Sequence, residues 1–509
     1  MFLPFNPPEP MADYLPLIPP LVALTLILIT RQAAVSLFAA TLIGAFLITG
    51  PNPIAAIRCL LEDHLFPKVG TSDWNLSAII FTFTLGAFAT LLEKGGGFRT
   101  ILKRLLLKKN SNPQKKLLFG VYGMGLLCCF DGLANALLLG RNARPLADRL
   151  KVSRQFLAYV IDSTSAAVAC IAFISTWIGT QLSVIKESLK TAPFDVNPAG
   201  LFFASIPANP YCLLTLLLVP LAIWRSWNIG PMKKAEPFPV EEKEDEAEGV
   251  SPLLALIPLV VLVIALPLLI YLWQDGADWS WRNALGGDGV PHAMVAAGIV
   301  ALAAAYLCFP KSRRKEAPQH MIDGAASLFP ALLILIAAWT LGSIFESLGT
   351  AELLKQMLGE NLDPMIMPLV IFASGAVISF LTGTSWGTFG LLMPLVLPLA
   401  LRLGVDLSEA ELMTLLSMTI GAVFGGAVFG DHCSPFSDTT IVSSLASGCS
   451  PTSHVATQLP YAVIAAGGAV AAYGLMFFGI PAWLATLCLG AGLTAYFILG
   501  FSSKTKSDN

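Results

Sequence analysis

Residues 117–140 read Leu117-Leu118-Phe119-Gly120-Val121-Tyr122-Gly123-Met124-Gly125-Leu126-Leu127-Cys128-Cys129-Phe130-Asp131-Gly132-Leu133-Ala134-Asn135-Ala136-Leu137-Leu138-Leu139-Gly140, one apolar run between two basic loops. Loop 93–116 holds eight basic residues: Lys94, Arg99, Lys103, Arg104, Lys108, Lys109, Lys115 and Lys116. Loop 141–154 holds five: Arg141, Arg144, Arg149, Lys151 and Arg154. Basic loops stay on the cytoplasmic side of a membrane. A single span cannot begin and end on one side, so this run is expected to enter, turn near the midplane and return. The polar string Phe130-Asp131-Gly132-Leu133-Ala134-Asn135 sits where the turn belongs.

The whole chain supports a membrane setting. It has 509 residues, 55% hydrophobic and 13% charged, against about 25% charged for a soluble domain. Apolar runs fall near 13–30, 33–50, 75–92, 117–140, 155–180, 201–224, 252–273, 292–309, 325–348, 366–401, 410–445, 459–479 and 482–500. Run 366–401 is too long for one helix across a hydrocarbon core of about 30 Å. Its middle is Thr382-Gly383-Thr384-Ser385-Trp386-Gly387-Thr388, and its flanks hold one basic residue each, Lys355 and Arg402. It is expected to be a second hairpin, entering from outside.

The fold class is therefore an all-α polytopic membrane protein of about 11 transmembrane helices plus two re-entrant hairpins. The N-terminus is expected outside and the C-terminus in the cytoplasm. That arrangement places 24 of the 31 basic residues inside. Residues 13–224 and 252–479 each read as three spans, a hairpin and two spans. Five full spans per unit is an odd number, so the second unit is upside down. Inverted repeats are a transporter signature, with sites where helices break at midplane. The expected division is a first repeat over 1–224 (hairpin about 117–140), an acidic cytoplasmic linker over 225–251, a second repeat over 252–479 (hairpin about 366–401), and an extra helix with a short tail over 480–509. The acidic run 241–248 reads as a solvated linker. The nine cysteines read as buried thiols, with no zinc spacing among them.

Ionisable residues inside spans are costly and usually functional. Away from span ends they are Asp131, Asp162, Asp431, His432 and Asp438. The densest stretch runs from Gly425 to Thr440 and contains Gly430-Asp431-His432-Cys433-Ser434-Pro435-Phe436-Ser437-Asp438-Thr439-Thr440. Its glycines and Pro435 are expected to open the helix in mid-membrane, freeing carbonyl groups that need a partner. Asp431 and Asp438 add negative charge, and Ser434, Ser437, Thr439 and Thr440 add neutral oxygens. Oxygen-only ligands suit a hard cation such as sodium. Asp162-Ser163-Thr164, with Ser175 and Thr176, forms the partner stretch in the first half. Asp131 and Asn135 supply oxygens from one hairpin tip, and Thr384, Ser385 and Thr388 from the other. His432 is a candidate proton relay or pH sensor, whereas His454 reads as structural. A carboxylate that binds a proton or a sodium ion, but not both, couples the two by competition.

These motifs resemble the NhaC-type sodium/proton antiporters of the ion transporter superfamily. The resemblance lies in Gly430 through Thr440, in His454-Val455-Ala456-Thr457-Gln458-Leu459-Pro460-Tyr461, in Thr382 through Thr388, in Ala134-Asn135 through Arg149, in Asp162-Ser163-Thr164 and in Ile174 through Gly179. It implies a scaffold that usually dimerises and a mobile domain moving by an elevator-like step. Asp131-Gly132 stands where the family commonly has paired aspartates, and Val168 and Phe173 stand where it often has prolines. The expected function is sodium (or lithium)/proton antiport in a bacterial inner membrane, contributing to pH homeostasis. The alternative is sodium- or proton-coupled transport of a small organic acid or amino acid. That alternative calls for a cation beside a carboxylate cargo, and no Lys or Arg lies deep in the motif spans. The expected partners are sodium, protons, the lipid bilayer and a second copy of the chain, with no nucleic acid and no cofactor. HExxH is absent, which argues against an intramembrane metallohydrolase.

Overall fold

Serine and asparagine caps mark where several of the helices begin, among them Ser72, Asn112, Ser153 and Asn209. The computed structural model describes residues 14–70, 72–107, 112–190, 192, 197–238, 250–273, 289–358 and 363–499, and every described element is helical. The acidic run 241–248 lies outside the described residues.

The chain opens with α1 (Ile18–Thr30) and α2 (Ala33–Thr49), joined by a turn in which Arg31 takes φ of 56°. Next come α3 (Asp73–Gly95), the short amphipathic α4 (Gly97–Leu107), and the pair α5 (Pro113–Leu127) and α6 (Gly132–Arg149). A broken pair follows, α7 (Arg154–Ile171) and α8 (Thr176–Ser188), then α9 (Pro198–Ser205) and α10 (Pro210–Arg225). Two long apolar helices, α11 (Leu253–Leu272) and α12 (Val290–Cys308), lead to α13 (Ala317–Ser327). The sequence of pieces then recurs: α14 (Phe329–Leu348), the short amphipathic α15 (Thr350–Leu358), and the pair α16 (Met367–Thr382) and α17 (Ser385–Leu403). A second broken pair follows, α18 (Glu409–Cys433) and α19 (Asp438–Ser447), before α20 (Pro451–Phe477) and α21 (Ala482–Leu499).

Run 117–140 is broken at 128–131, and its two arms pack on each other. Near the turn, Asn135 Nδ2 of α6 donates to the Gly125 carbonyl of α5 at 3.1 Å. At the far end, Gln114 Nε2 at the start of α5 donates to the Leu150 carbonyl after α6 at 2.8 Å. Entry and exit are thus together. Run 366–401 turns in two residues. Gly383 takes φ of +68°, and a Cβ there would lie 2.9 Å from the carbonyl carbon of Phe436. The far end of α17 is tied to α15, where Arg402 pairs with Glu352 at 3.3 Å.

Among the described residues, ten helices are long and apolar enough to cross a membrane, or eleven with the bent α7–α8 pair as one span. The membership differs from the expectation. α1 and α2, read as full spans, have 13 and 17 residues, short of the roughly 20 a crossing needs. Run 155–180 is not one helix: it bends by 41° between α7 and α8. Run 410–445 does open, at 434–437, but its glycines are not the cause. Gly426 and Gly430 lie inside α18 and let α16 approach: a Cβ at Gly426 would sit 2.6 Å from the Phe372 carbonyl oxygen, and one at Gly430 would strike Ser379. Three of the cysteines also depart from expectation, since Cys129 and Cys308 are partly exposed and Cys488 is exposed.

The polar core sits around α7, α18 and α19. α18 is buried along most of its length, whereas α21 lies at the periphery.

Candidate functional site

At three of the breaks the residue before the new helix caps it. Asp131 accepts from Ala134 N at 2.7 Å, Ser175 from Ile178 N at 3.2 Å, and Thr384 from Gly387 N at 3.0 Å. Such caps satisfy backbone donors that a helix start leaves open. The fourth break differs. Ser437 stands at the cap position of α19 and makes no capping bond. Its hydroxyl donates instead to Asp431, near the end of α18. Thr439 Oγ1 donates to the other oxygen of Asp431 at 2.9 Å and lies 3.1 Å from Ser437 Oγ. Asp431, Ser437 and Thr439 are all buried. One carboxylate with two hydroxyls is an oxygen-only set of the kind a hard monovalent cation takes.

Ser434 caps this break locally, with Phe436 N donating to it at 3.4 Å. Asp438 takes the first position of α19 and is exposed. The described hydrogen bonds of the Asp431 group do not include it.

The first hairpin tip forms a separate group. Thr176 Oγ1 donates to Asp131 at 2.9 Å, and Thr176 N donates to the Phe130 carbonyl at 2.7 Å. Asn135 Nδ2 also donates to the Thr164 carbonyl at 3.2 Å, tying the hairpin to α7. Thr164 itself bonds back to the Val160 and Ile161 carbonyls, and Ser163 is buried one residue before it. Ser175 also donates to the Ala169 carbonyl at 2.8 Å. At the second tip, Thr388 donates to the Thr384 carbonyl at 2.8 Å, and Ser385 is buried in the first turn of α17. The starts of α8 and α17 meet through Trp177 and Trp386, whose ring centres lie 5.7 Å apart. Among the described hydrogen bonds, none joins the Asp131 group to the Asp431 group.

Asp162 belongs to a third group. Gln458 Nε2 donates to Asp162 Oδ2 at 2.6 Å, His454 Nε2 lies 3.3 Å away, and Thr440 Oγ1 lies 3.5 Å away. Thr440 Oγ1 also donates to the Asp431 carbonyl at 2.9 Å, so one hydroxyl touches both aspartates' neighbourhoods. His432 Nδ1 lies 2.9 Å from the Tyr211 hydroxyl, and the His432 carbonyl accepts from Gln458 at 2.9 Å.

Sequence reasoning read His454 as structural and passed over Gln458 and Tyr211. The available signal was the spacing of His454 and Gln458, four apart and so on one face of α20. It also missed Arg31, whose guanidinium lies 3.5 Å from the ring centre of Phe436 in the α18–α19 break.

A family profile described as the Na+/H+ antiporter family matches residues 168–480. The chain belongs to that family. This antiporter has a relative in Haemophilus influenzae, an uncharacterized protein 30% identical over 490 residues, or 92% of each chain. A second H. influenzae protein, named an uncharacterized Na(+)/H(+) antiporter, is 34% identical over 156 residues, 30% of this chain and 31% of its own. The malate-2H(+)/Na(+)-lactate antiporter of Bacillus subtilis is 29% identical over 145 residues, 28% of this chain and 29% of its own. Two solved transporters share the fold. The YdaH transporter of Alcanivorax borkumensis gives a TM-score of 0.56 at 16% identity, covering 86% of this chain and 91% of its own. MtrF of Neisseria gonorrhoeae gives 0.50 at 14% identity, covering 92% and 94%. The antiporter is thus a multi-pass membrane transporter of the cation/proton type rather than an enzyme, and its family's substrates are sodium and protons.

Proposed function

We propose that the protein exchanges sodium (or lithium) for protons by competition at Asp431. The observation that carries this is the use of Ser437, which leaves α19 without its side-chain cap and spends its hydroxyl on a buried carboxylate. A hydroxyl has one donor and two lone pairs and rotates to suit. With Asp431 free of cation, Ser437 and Thr439 donate to it. With a cation present, the same oxygens turn their lone pairs inward and become ligands, and the carboxylate supplies the charge. A proton on Asp431 removes that charge and with it the cation.

The wider proposal keeps the expected setting. The two runs of like-ordered helices are inverted repeats, the N-terminus faces outside and the C-terminus the cytoplasm of a bacterial inner membrane. The protein forms a homodimer, and the site changes sides by an elevator-like step. Contacts of each hairpin with a neighbouring break support one moving body: Thr176 N, at the α7–α8 break, donates to the Phe130 carbonyl, and Gly383 packs on Phe436.

The test is a proteoliposome assay with an internal pH dye and an imposed proton gradient. Sodium should evoke proton movement with wild type and not with Asp431→Asn. A wild type that is inserted yet answers no alkali cation would remove the antiport reading.

One observation favours the alternative cargo. Arg31 places a cation against the α18–α19 break, next to the second hairpin tip, and the B. subtilis relative is named for organic anions. Under this reading a small carboxylate would pair with Arg31. Labelled malate or lactate uptake that depends on Arg31 would support it.

A further inference from the structure

A cavity of about 90 Å³ lies among the ends of α8, α14, α15 and α17. That is several times the roughly 10–15 Å³ that one water needs. None of its lining residues belongs to the three aspartate groups. α8 and α17 touch near their starts, where Trp177 meets Trp386 and Phe389, and both helices end on this cavity. Its α17 lining, from Pro394 to Arg402, stands in the second half of that helix, away from the hairpin tip.

Charge is spread unevenly over the lining. The side chain of Glu187 on α8 is only 9% exposed and is held by two ammonium groups, those of Lys68 and, at 2.8 Å, Lys190. A carboxylate shared by two lysines leaves that wall with positive charge in excess. Glu352 of α15 and Arg402 of α17 pair at 3.3 Å and cancel. Glu346 of α14 also lines the cavity, and no Lys or Arg pairs with it among the described residues. That wall has negative charge in excess. An anion alone would be repelled by Glu346, and a cation alone by the lysines. A small molecule that carries both signs is attracted by both walls.

We propose that this cavity binds a small zwitterion, a free α-amino acid of about the size of alanine. Its carboxylate accepts from Lys190, and its ammonium group donates to Glu346. Both are charge-assisted hydrogen bonds, the stronger kind. Val184, Ala338 and Leu395 give the lining its apolar part, against which a methyl side chain rests. The proposal goes beyond the exchange at Asp431 and stands or falls without it.

The experiment is equilibrium dialysis of carbon-14 L-alanine against the purified full chain in detergent. Wild type is expected to bind it saturably. Propionate lacks the ammonium group and ethylamine lacks the carboxylate. Each should displace the label at least about tenfold less well than unlabelled alanine, the effect of losing one charge-assisted bond. Glu346→Gln and Lys190→Gln should each weaken alanine binding about tenfold for the same reason. Both residues are exposed, so both variants should fold, which an unchanged unfolding temperature checks. Asp431→Asn should bind alanine as wild type does. Absence of saturable alanine binding would overturn the proposal. So would propionate or ethylamine competing as well as alanine, or alanine binding that ignores both Gln variants. Alanine binding lost in Asp431→Asn would place the amino acid at the cation site and overturn it as well.

Discussion

Asp131 and Asp431 both stand at a helix break, and both are buried, yet their donors differ in kind. Asp131 accepts from a backbone amide, Ala134 N, as well as from Thr176. Asp431 accepts from two hydroxyls, those of Ser437 and Thr439. An amide can only donate, so the Ala134 N–H cannot turn into a ligand for a cation at Asp131. Hydroxyls can reverse, so a cation arriving at Asp431 finds ligands where there were donors. On the proposed exchange, two aspartates that look alike in the sequence have different work: Asp131 caps a helix at the hairpin tip, and Asp431 takes the cation or proton.

The largest effect that separates them is the asparagine pair. Asp431→Asn should cut sodium-evoked proton flux at least about 100-fold, because removing one partner of a buried charge pair costs roughly 3 kcal/mol or more. Asp131→Asn should leave flux near wild type, since asparagine is as good an N-cap as aspartate. Flux lost equally in both variants would erase the distinction.

Next in size are the hydroxyls. Ser437→Ala or Thr439→Val should each raise the sodium KM about tenfold, the effect of losing one charge-assisted bond of roughly 1.5 kcal/mol. Initial rates at several sodium concentrations check this. Unchanged KM would mean the hydroxyls are not ligands.

Asp131→Ala sharpens the other side. It should lower stability by about 1 kcal/mol, the usual loss of a helix cap, seen as a lower unfolding temperature in detergent. The smallest expected effect is that of Arg31→Gln. Its cation–π contact with Phe436 is worth about 0.5–1 kcal/mol at an exposed site, so sodium KM should shift less than about fivefold.

The comparison also shows what the sequence could reveal. The first hairpin was legible because basic loops on both sides of 117–140 leave a chain no other path. The turn inside run 366–401 was legible from length, and each of its arms is itself long and apolar enough to cross a membrane. The bend at 172–175 was not, because Ala172, Phe173 and Ile174 carry no glycine or proline, and the one local signal is Ser175, which caps α8. Gly426 and Gly430 suggested an opened helix but serve close packing with α16. The Asp431 group was legible because its oxygens lie within nine residues of one another. The Asp162–His454 contact was not, since no local spacing announces a partner 292 residues away. Arg31 was hidden for the same reason.

The most direct measurement of the central claim is the sodium KM of proton exchange as a function of pH in proteoliposomes. If sodium and a proton compete for Asp431, lowering the pH raises the sodium KM, toward about tenfold per pH unit once the site is mostly protonated, while the maximal rate at saturating sodium holds. A sodium KM that does not move with pH, while the maximal rate does, would contradict competition at a shared carboxylate.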